Sequence, residues 1–97
     1  MVIQFIKFKT SLPEEEIIRV AKERLPKFEV LEGLLQKYYI KLQGENQYGG
    51  IYVWDSQESL NAYRASDLAK SIPGAYQIVN VPEIEIAEVL FPLRPVK

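Results

Sequence analysis

The stretch LLQKYYIKLQGENQYGGIYVWDSQESLNAY, residues 34–63, decides the fold. From Leu34 to Gln43, Leu34, Tyr38, Ile40 and Leu42 alternate with Lys37, Tyr39, Lys41 and Gln43, the period of two that belongs to a strand with unlike faces. Gly44-Glu45-Asn46-Gln47 is turn chemistry, and Gly49 to Trp54 returns to β-branched and aromatic residues, so the segment predicts a β-hairpin. Asp55 or Ser56 then caps a helix, with Glu58 three residues after Asp55 as in a capping box. Leu60, Tyr63, Leu68 and Ile72 with Ala62, Ala65 and Ala69 give that helix its buried side. A break is expected near Ser66-Asp67 and a stop at Pro73-Gly74.

Working outward, Val2 to Lys9 carries Val2, Ile3, Phe5, Ile6 and Phe8 and reads as a strand with apolar groups on both faces. Ser11-Leu12-Pro13-Glu14 supplies a second capping-box pattern, and Glu14, Glu15 and Glu16 suit the positive end of a helix. Ile17, Val20, Ala21 and Leu25 recur at helical spacing and Pro26 marks an end, which predicts a helix over residues 12–25. A last strand is expected from Tyr76 to Leu90, bent at Pro82. The order strand-helix-strand-strand-helix-strand predicts one α+β domain over residues 1–97: a ferredoxin-like four-stranded antiparallel sheet with two helices on one face.

The other face of such a sheet is bare. The neighbouring apolar pairs Phe5-Ile6 and Ile51-Tyr52-Val53-Trp54 leave neither face of strands one and three polar, so a homodimer is expected. The competing reading is that Lys7, Lys37 and Lys41 cover that face as a solvated surface.

Composition narrows the chemistry. The 97 residues include no cysteine and no histidine, which removes thiolate nucleophiles and metal sites, serine-histidine triads, and histidine-ligated haem, zinc or iron. Twelve basic against thirteen acidic residues, with no basic block, argue against nucleic acid. There is no apolar run long enough to span a bilayer, and Lys7 interrupts the first apolar segment too early for a secretory signal, so a cytoplasmic chain off the membrane is expected. The glutamates at 14–16 are explained by the helix dipole, and no metal is assigned.

From Gly49-Gly50 through Ile51-Tyr52-Val53-Trp54 and Asp55-Ser56-Gln57-Glu58 to Tyr63, the chain resembles the YdhR-type monooxygenases of the dimeric α/β-barrel superfamily. The features that carry the resemblance are the double glycine, the aromatic strand and the acid-rich turn leading into a helix that bears an aromatic residue. It extends back to Gly33-Leu34 and forward to Ala75-Tyr76. The resemblance implies that two sheets face each other in the dimer and that each subunit keeps a cavity between its helices and its sheet. Haem-degrading relatives use an asparagine, a tryptophan and a histidine where this chain has Lys7, Tyr63 and no histidine, so haem degradation is not expected. The activity implied is cofactor-independent oxygenation of a small aromatic or polyketide-like compound, with no cofactor and no metal. The alternative is a non-catalytic small-molecule binder or carrier of the same fold.

Under the resemblance, Tyr63 is the expected catalytic aromatic and Asp67 the best-situated carboxylate for a base. Trp54, Tyr52, Asn61, Arg64 and Lys7 are the expected substrate-binding residues, Lys7 because a desolvated amine lowers its pKa. Each has a plainer explanation: Trp54 and Tyr63 as core aromatics, Asn61 and Arg64 as solvated helix positions, Asp67 as a cap, Lys7 as a snorkelling surface lysine.

Overall fold

A computed structural model describes residues 1–95. The strands are β1 (Val2–Lys9), β2 (Leu34–Lys41), β3 (Gln47–Trp54) and β4 (Glu83–Glu88). Between them lie α1 (Glu14–Glu29) and the short helices α2 (Gln57–Arg64), α3 (Asp67–Lys70) and α4 (Ile72–Ala75). All pairings are antiparallel in the order β2-β3-β1-β4, the ferredoxin-like arrangement expected. The expected second helix is instead a chain of three short ones: Ser56 caps α2 by accepting from Ser59 N, and Ser66 restarts the backbone by capping α3.

Alternation along β1 and β3 sets the two faces. Val2, Gln4, Ile6 and Phe8 of β1 and Tyr48, Gly50, Tyr52 and Trp54 of β3 turn to the helices and are buried. Ile17, Val20, Ala21 and Phe28 of α1 close over them with Leu60 and Tyr63 of α2, and Leu60 is 0% exposed. The buried polar residues Gln4 and Thr10 are paired: Gln4 Oε1 accepts from Trp54 Nε1 at 3.4 Å, and Thr10 Oγ1 donates to the Tyr76 carbonyl at 2.5 Å.

α1 departs from the expectation at both ends. Ser11 does not cap it; its hydroxyl donates to Gln77 Oε1, and the first amides, Glu16 N and Ile17 N, donate to the Pro13 carbonyl. Pro26 lies inside the helix rather than ending it. The extra turn buries Phe28 against Tyr52 and Tyr63, at ring centroid distances of 6.4 and 6.2 Å. That burial offsets the single amide hydrogen bond proline removes near the helix end. The last strand is also shorter than expected. Residues 76–82 contribute only the isolated bridge Thr10↔Ile78, and the ladder on β1 begins at Glu83, after Pro82.

Two glycines are required by geometry. Gly33 takes φ +85° at the entry to β2, and its carbonyl accepts from Asp55 N at 2.8 Å, tying the start of the hairpin to its end. Gly49 lies opposite Lys7 in the β1–β3 ladder, where an added Cβ would run into the Ile6 carbonyl oxygen.

The far face of the sheet has no helix on it. Phe5, Ile51 and Tyr38 stand side by side there in register, beside the Ile3–Val53 pair, and Tyr38 is 54% exposed. Lys7 is on this face and pairs with Glu83 at 3.1 Å across the sheet edge. Lys37 and Lys41 do not cover it, contrary to the competing reading. A register shift between Leu34 and Gln36 puts Lys37 opposite Tyr52 and Lys41 opposite Tyr48, which turns both toward the helix side.

Candidate functional site

The helix side of the sheet holds a half-open cavity of about 340 Å³. Three features of the chain create it. Gly50, facing the helices from β3, leaves the floor open, because an added Cβ would stand 3.0 Å from the Tyr52 ring and 3.6 Å from Lys37 Cε. Ala21 and Ile17 give α1 a short-sided underside above that floor. The α3–α4 break carries Ile72 and Tyr76 inward as the end wall. At the rim, Lys41 of β2 pairs with Glu14 of α1 at 2.8 Å.

The wall is largely aromatic and apolar, with Lys22 and Lys41 on its lining and Lys37 set among its rings. Lys37 Nζ lies 3.5 Å from the ring centre of Phe28, 4.4 Å from Tyr39 and 4.6 Å from Tyr52. Among the described residues no carboxylate pairs with it. Burial, and after it the charge of Arg24, pushes the amine down from 10.5 to about 7. The phenols move the other way. Burial holds Tyr76 up to about 12, pushes Tyr39 and Tyr63 up, and raises Tyr52 well above the ordinary tyrosine value, helped by the neighbouring Tyr63. Around neutral pH the cavity thus offers hydroxyl donors that stay protonated and one amine that exchanges its proton.

Arg24, on α1 next to this layer, donates from one terminal nitrogen to Ser71 Oγ at 2.7 Å, while its buried Nε has no partner. Its charge acts on Lys37, Tyr39, Tyr63 and Tyr76, so the guanidinium stands among the same groups.

Of the residues expected at a site, Tyr52 is the one on the cavity wall. Tyr63 and Trp54 stack behind it: Tyr52 and Trp54 are parallel at 6.3 Å, Trp54 and Tyr63 are 5.2 Å apart, and the Tyr63 hydroxyl is 3.5 Å from that of Tyr52. Asn61 is exposed and accepts from Gln57 Nε2 on its own helix, Arg64 is exposed, and Asp67 is exposed in the first turn of α3. Lys7 is on the opposite face of the sheet. The sequence reading missed Lys37. Its signal was the shared phase with Tyr39, but the bulge that aims both at the helices leaves no mark in the alternation.

Comparison with known proteins agrees with this architecture. The family described as "Putative mono-oxygenase ydhR" matches residues 3–91. Among solved structures, NE2512, a protein of unknown function from Nitrosomonas europaea, superimposes with a TM-score of 0.78 at 17% identity, over 99% of this chain and 95% of its own. SnoaB, a cofactor-independent oxygenase from Streptomyces nogalater, gives 0.76 at 16% identity over 97% of both chains. A "putative antibiotic biosynthesis monooxygenase" from Deinococcus radiodurans gives 0.74 at 13% identity over the whole of both. At these identities the structural likeness speaks for fold alone. No curated protein matches the chain. No helix among the described residues is long and apolar enough to cross a membrane, and no cluster of acidic residues there is arranged to hold a metal ion.

Proposed function

The chain belongs to the family described as "Putative mono-oxygenase ydhR", and we propose that it oxygenates a small electron-rich aromatic compound, without flavin, haem or metal, inside the cavity between α1 and the sheet. The observation that carries this reading is the cavity itself: about 340 Å³, half-open, with Tyr39, Tyr52 and Tyr76 on its wall as phenols that stay protonated around neutral pH. That volume is at the lower end for small-molecule sites and fits a fused-ring compound.

In such a reaction the substrate supplies the electrons. Loss of a proton from a phenol or enol gives an anion rich enough to react with oxygen, and the protein's tasks are to favour the anion and exclude water. For an anthrone, the ring methylene loses two hydrogens and gains one oxygen atom from O2, while the second oxygen atom leaves as water. Tyr39, Tyr52 and Tyr76 serve as donors to the substrate oxygen. Tyr63 and Trp54 hold the Tyr52 ring in place as positioning residues. Asn61, Arg64, Asp67 and Lys7 take no part in the chemistry under this reading, because none of them borders the cavity.

The working unit proposed is a homodimer in the cytoplasm, joined through the bare face around Phe5, Ile51 and Tyr38, whose register makes one continuous apolar patch. Oxygen uptake by dialysed protein, tested against a panel of anthrones and hydroquinones with product quantified, checks the activity. Uptake matched by quinone formation supports it. Saturable binding of the panel with no uptake rejects it in favour of a carrier.

A further inference from the structure

We propose that Lys37 is an anion-pairing base, and that the cavity takes an acidic phenol or enol, receives its proton on Nζ and keeps it bound as the anion. The inference deepens the oxygenase reading by naming the group that ionises the substrate, but the site stands without turnover.

Three observations carry it. First, the amine is held among three ring faces at the cavity wall and has no carboxylate among the described residues, so the ammonium formed when it takes up a proton has no counter-ion of the protein's own. Second, Arg24 adds a second positive charge to this layer, also without a carboxylate, and its Nε is buried without a partner. That fixed charge, joined by the ammonium formed when Lys37 takes up a proton, makes the protein's own field favour a bound anion. Third, Lys22 and Lys41 also border the cavity and the charge of Glu29 reaches Tyr39, but the titratable side chains whose rings contact the amine are phenols: Tyr39 on its own strand and Tyr52 on β3, with Tyr76 on the same wall and Tyr63 behind Tyr52. Their pKa values lie above the ordinary tyrosine value, so they donate hydrogen bonds and do not compete for the proton. Glu14, the carboxylate on the cavity rim, is engaged by Lys41.

The step is a proton transfer. The ligand O–H bond breaks, its electron pair stays on oxygen, and the proton moves to the neutral amine, which becomes an ammonium paired with the anion. Arg24 acts as a positioning residue: its charge adds to burial in disfavouring the ammonium of the empty site and then stabilises the anion formed.

Para-nitrophenol is the probe, because its anion is yellow and its neutral form colourless. Bound to the wild type, it should ionise at a pH at least one unit below that of the free probe, about tenfold in the anion-to-phenol ratio. Lys37→Met, a near-isosteric apolar replacement, should bind the neutral form and abolish the shift. Lys37→Arg, which keeps the charge but does not accept a proton near neutral pH, should retain the yellow complex and lose its proton uptake on binding. Probe that stays colourless in the wild-type complex, fails to bind, or shifts equally in Lys37→Met overturns the proposal. Should Lys37→Met not fold, the wild-type spectrum and Lys37→Arg decide alone. Oxygen uptake on the same samples separates the two readings. A yellow complex without uptake leaves the anion site standing and rejects the oxygenase, whereas uptake unchanged in Lys37→Met rejects the base and leaves the oxygenase.

Discussion

Replacing Lys37 by methionine should stabilise the protein, and the gain should depend on pH in a way no surface lysine reproduces. In the unfolded chain the amine titrates near 10.5, and in the folded chain burial and Arg24 bring it to about 7. Between those values the unfolded state holds one more proton than the folded one, so stability rises with pH across the window and the cost of the buried amine is complete at and below its lower end. At about 1.4 kcal/mol per pH unit the full cost is about 4–5 kcal/mol. For a chain of this length that corresponds to a Tm difference on the order of 20 °C. The tyrosines act in the opposite sense. Tyr76 at about 12 and Tyr52 beyond the ordinary value are acids raised by folding, so their stabilisation is lost as pH climbs above about 10. Thermal melts followed by circular dichroism should therefore show the wild-type Tm rising from pH 7 to a maximum near pH 9.5 and then falling. The Lys37→Met profile should start higher, stay flat over the first interval and share the fall. A methionine variant less stable than the wild type at pH 7, or a wild-type profile flat up to pH 9, would refute the placement of the amine in a desolvated position without a counter-ion.

Gly49→Ala should cost about 2–3 kcal/mol in chemical denaturation, because its Cβ meets the Ile6 backbone oxygen, whereas Gly74→Ala, with open space around it, should stay within about 0.5 kcal/mol. Tyr52→Phe should weaken binding of a phenolic ligand by about 0.5–1.5 kcal/mol, while Tyr63→Phe, one ring further back, should leave affinity unchanged in the same titration. Sedimentation equilibrium should give a dimer mass at micromolar concentration and a monomer for Ile51→Lys, which puts a charge at the centre of the bare patch. A monomeric wild type would rule out that interface.

The hairpin, its aromatic second strand and the βαββαβ order were legible because periodicity and turn chemistry are local. Gly44-Glu45-Asn46-Gln47 and the Ser56 cap need no knowledge of distant residues. Pro26 misled for the complementary reason. Proline's local cost predicts a helix end, but burial of Phe28 against Tyr52 and Tyr63, side chains 24 or more positions away, extends the helix past it. The last strand was over-extended because residues 76–82 look apolar enough for a ladder, although Tyr76 is drawn into the cavity wall and Pro82 delays pairing until Glu83.

The site was less legible than the fold. Tyr52, Tyr63 and Trp54 do cluster as the aromatic strand and helix suggested, but only the first reaches the cavity. Asn61, Arg64 and Asp67 share a helical region with Tyr63 yet project to solvent, since helix phase around Leu60 and Tyr63 fixes the buried side. Lys7 and Lys37 are the instructive pair. Both sit on strands among apolar neighbours, and the sequence alone makes Lys7 the candidate for desolvation. A one-residue bulge at the start of β2 reverses the outcome, sending Lys37 inward, while the strict alternation of β1 keeps Lys7 outside with Glu83.

The most direct test of the central claim is the position of a bound substrate analogue. Intermolecular nuclear Overhauser contacts, collected without oxygen on the protein saturated with an anthrone, should connect the ligand to the rings of Tyr52 and Tyr76 and to the methyl groups of Ala21 and Ile17. Contacts instead to Phe5, Ile51 and Tyr38 on the bare face, or to none of these residues, would contradict it.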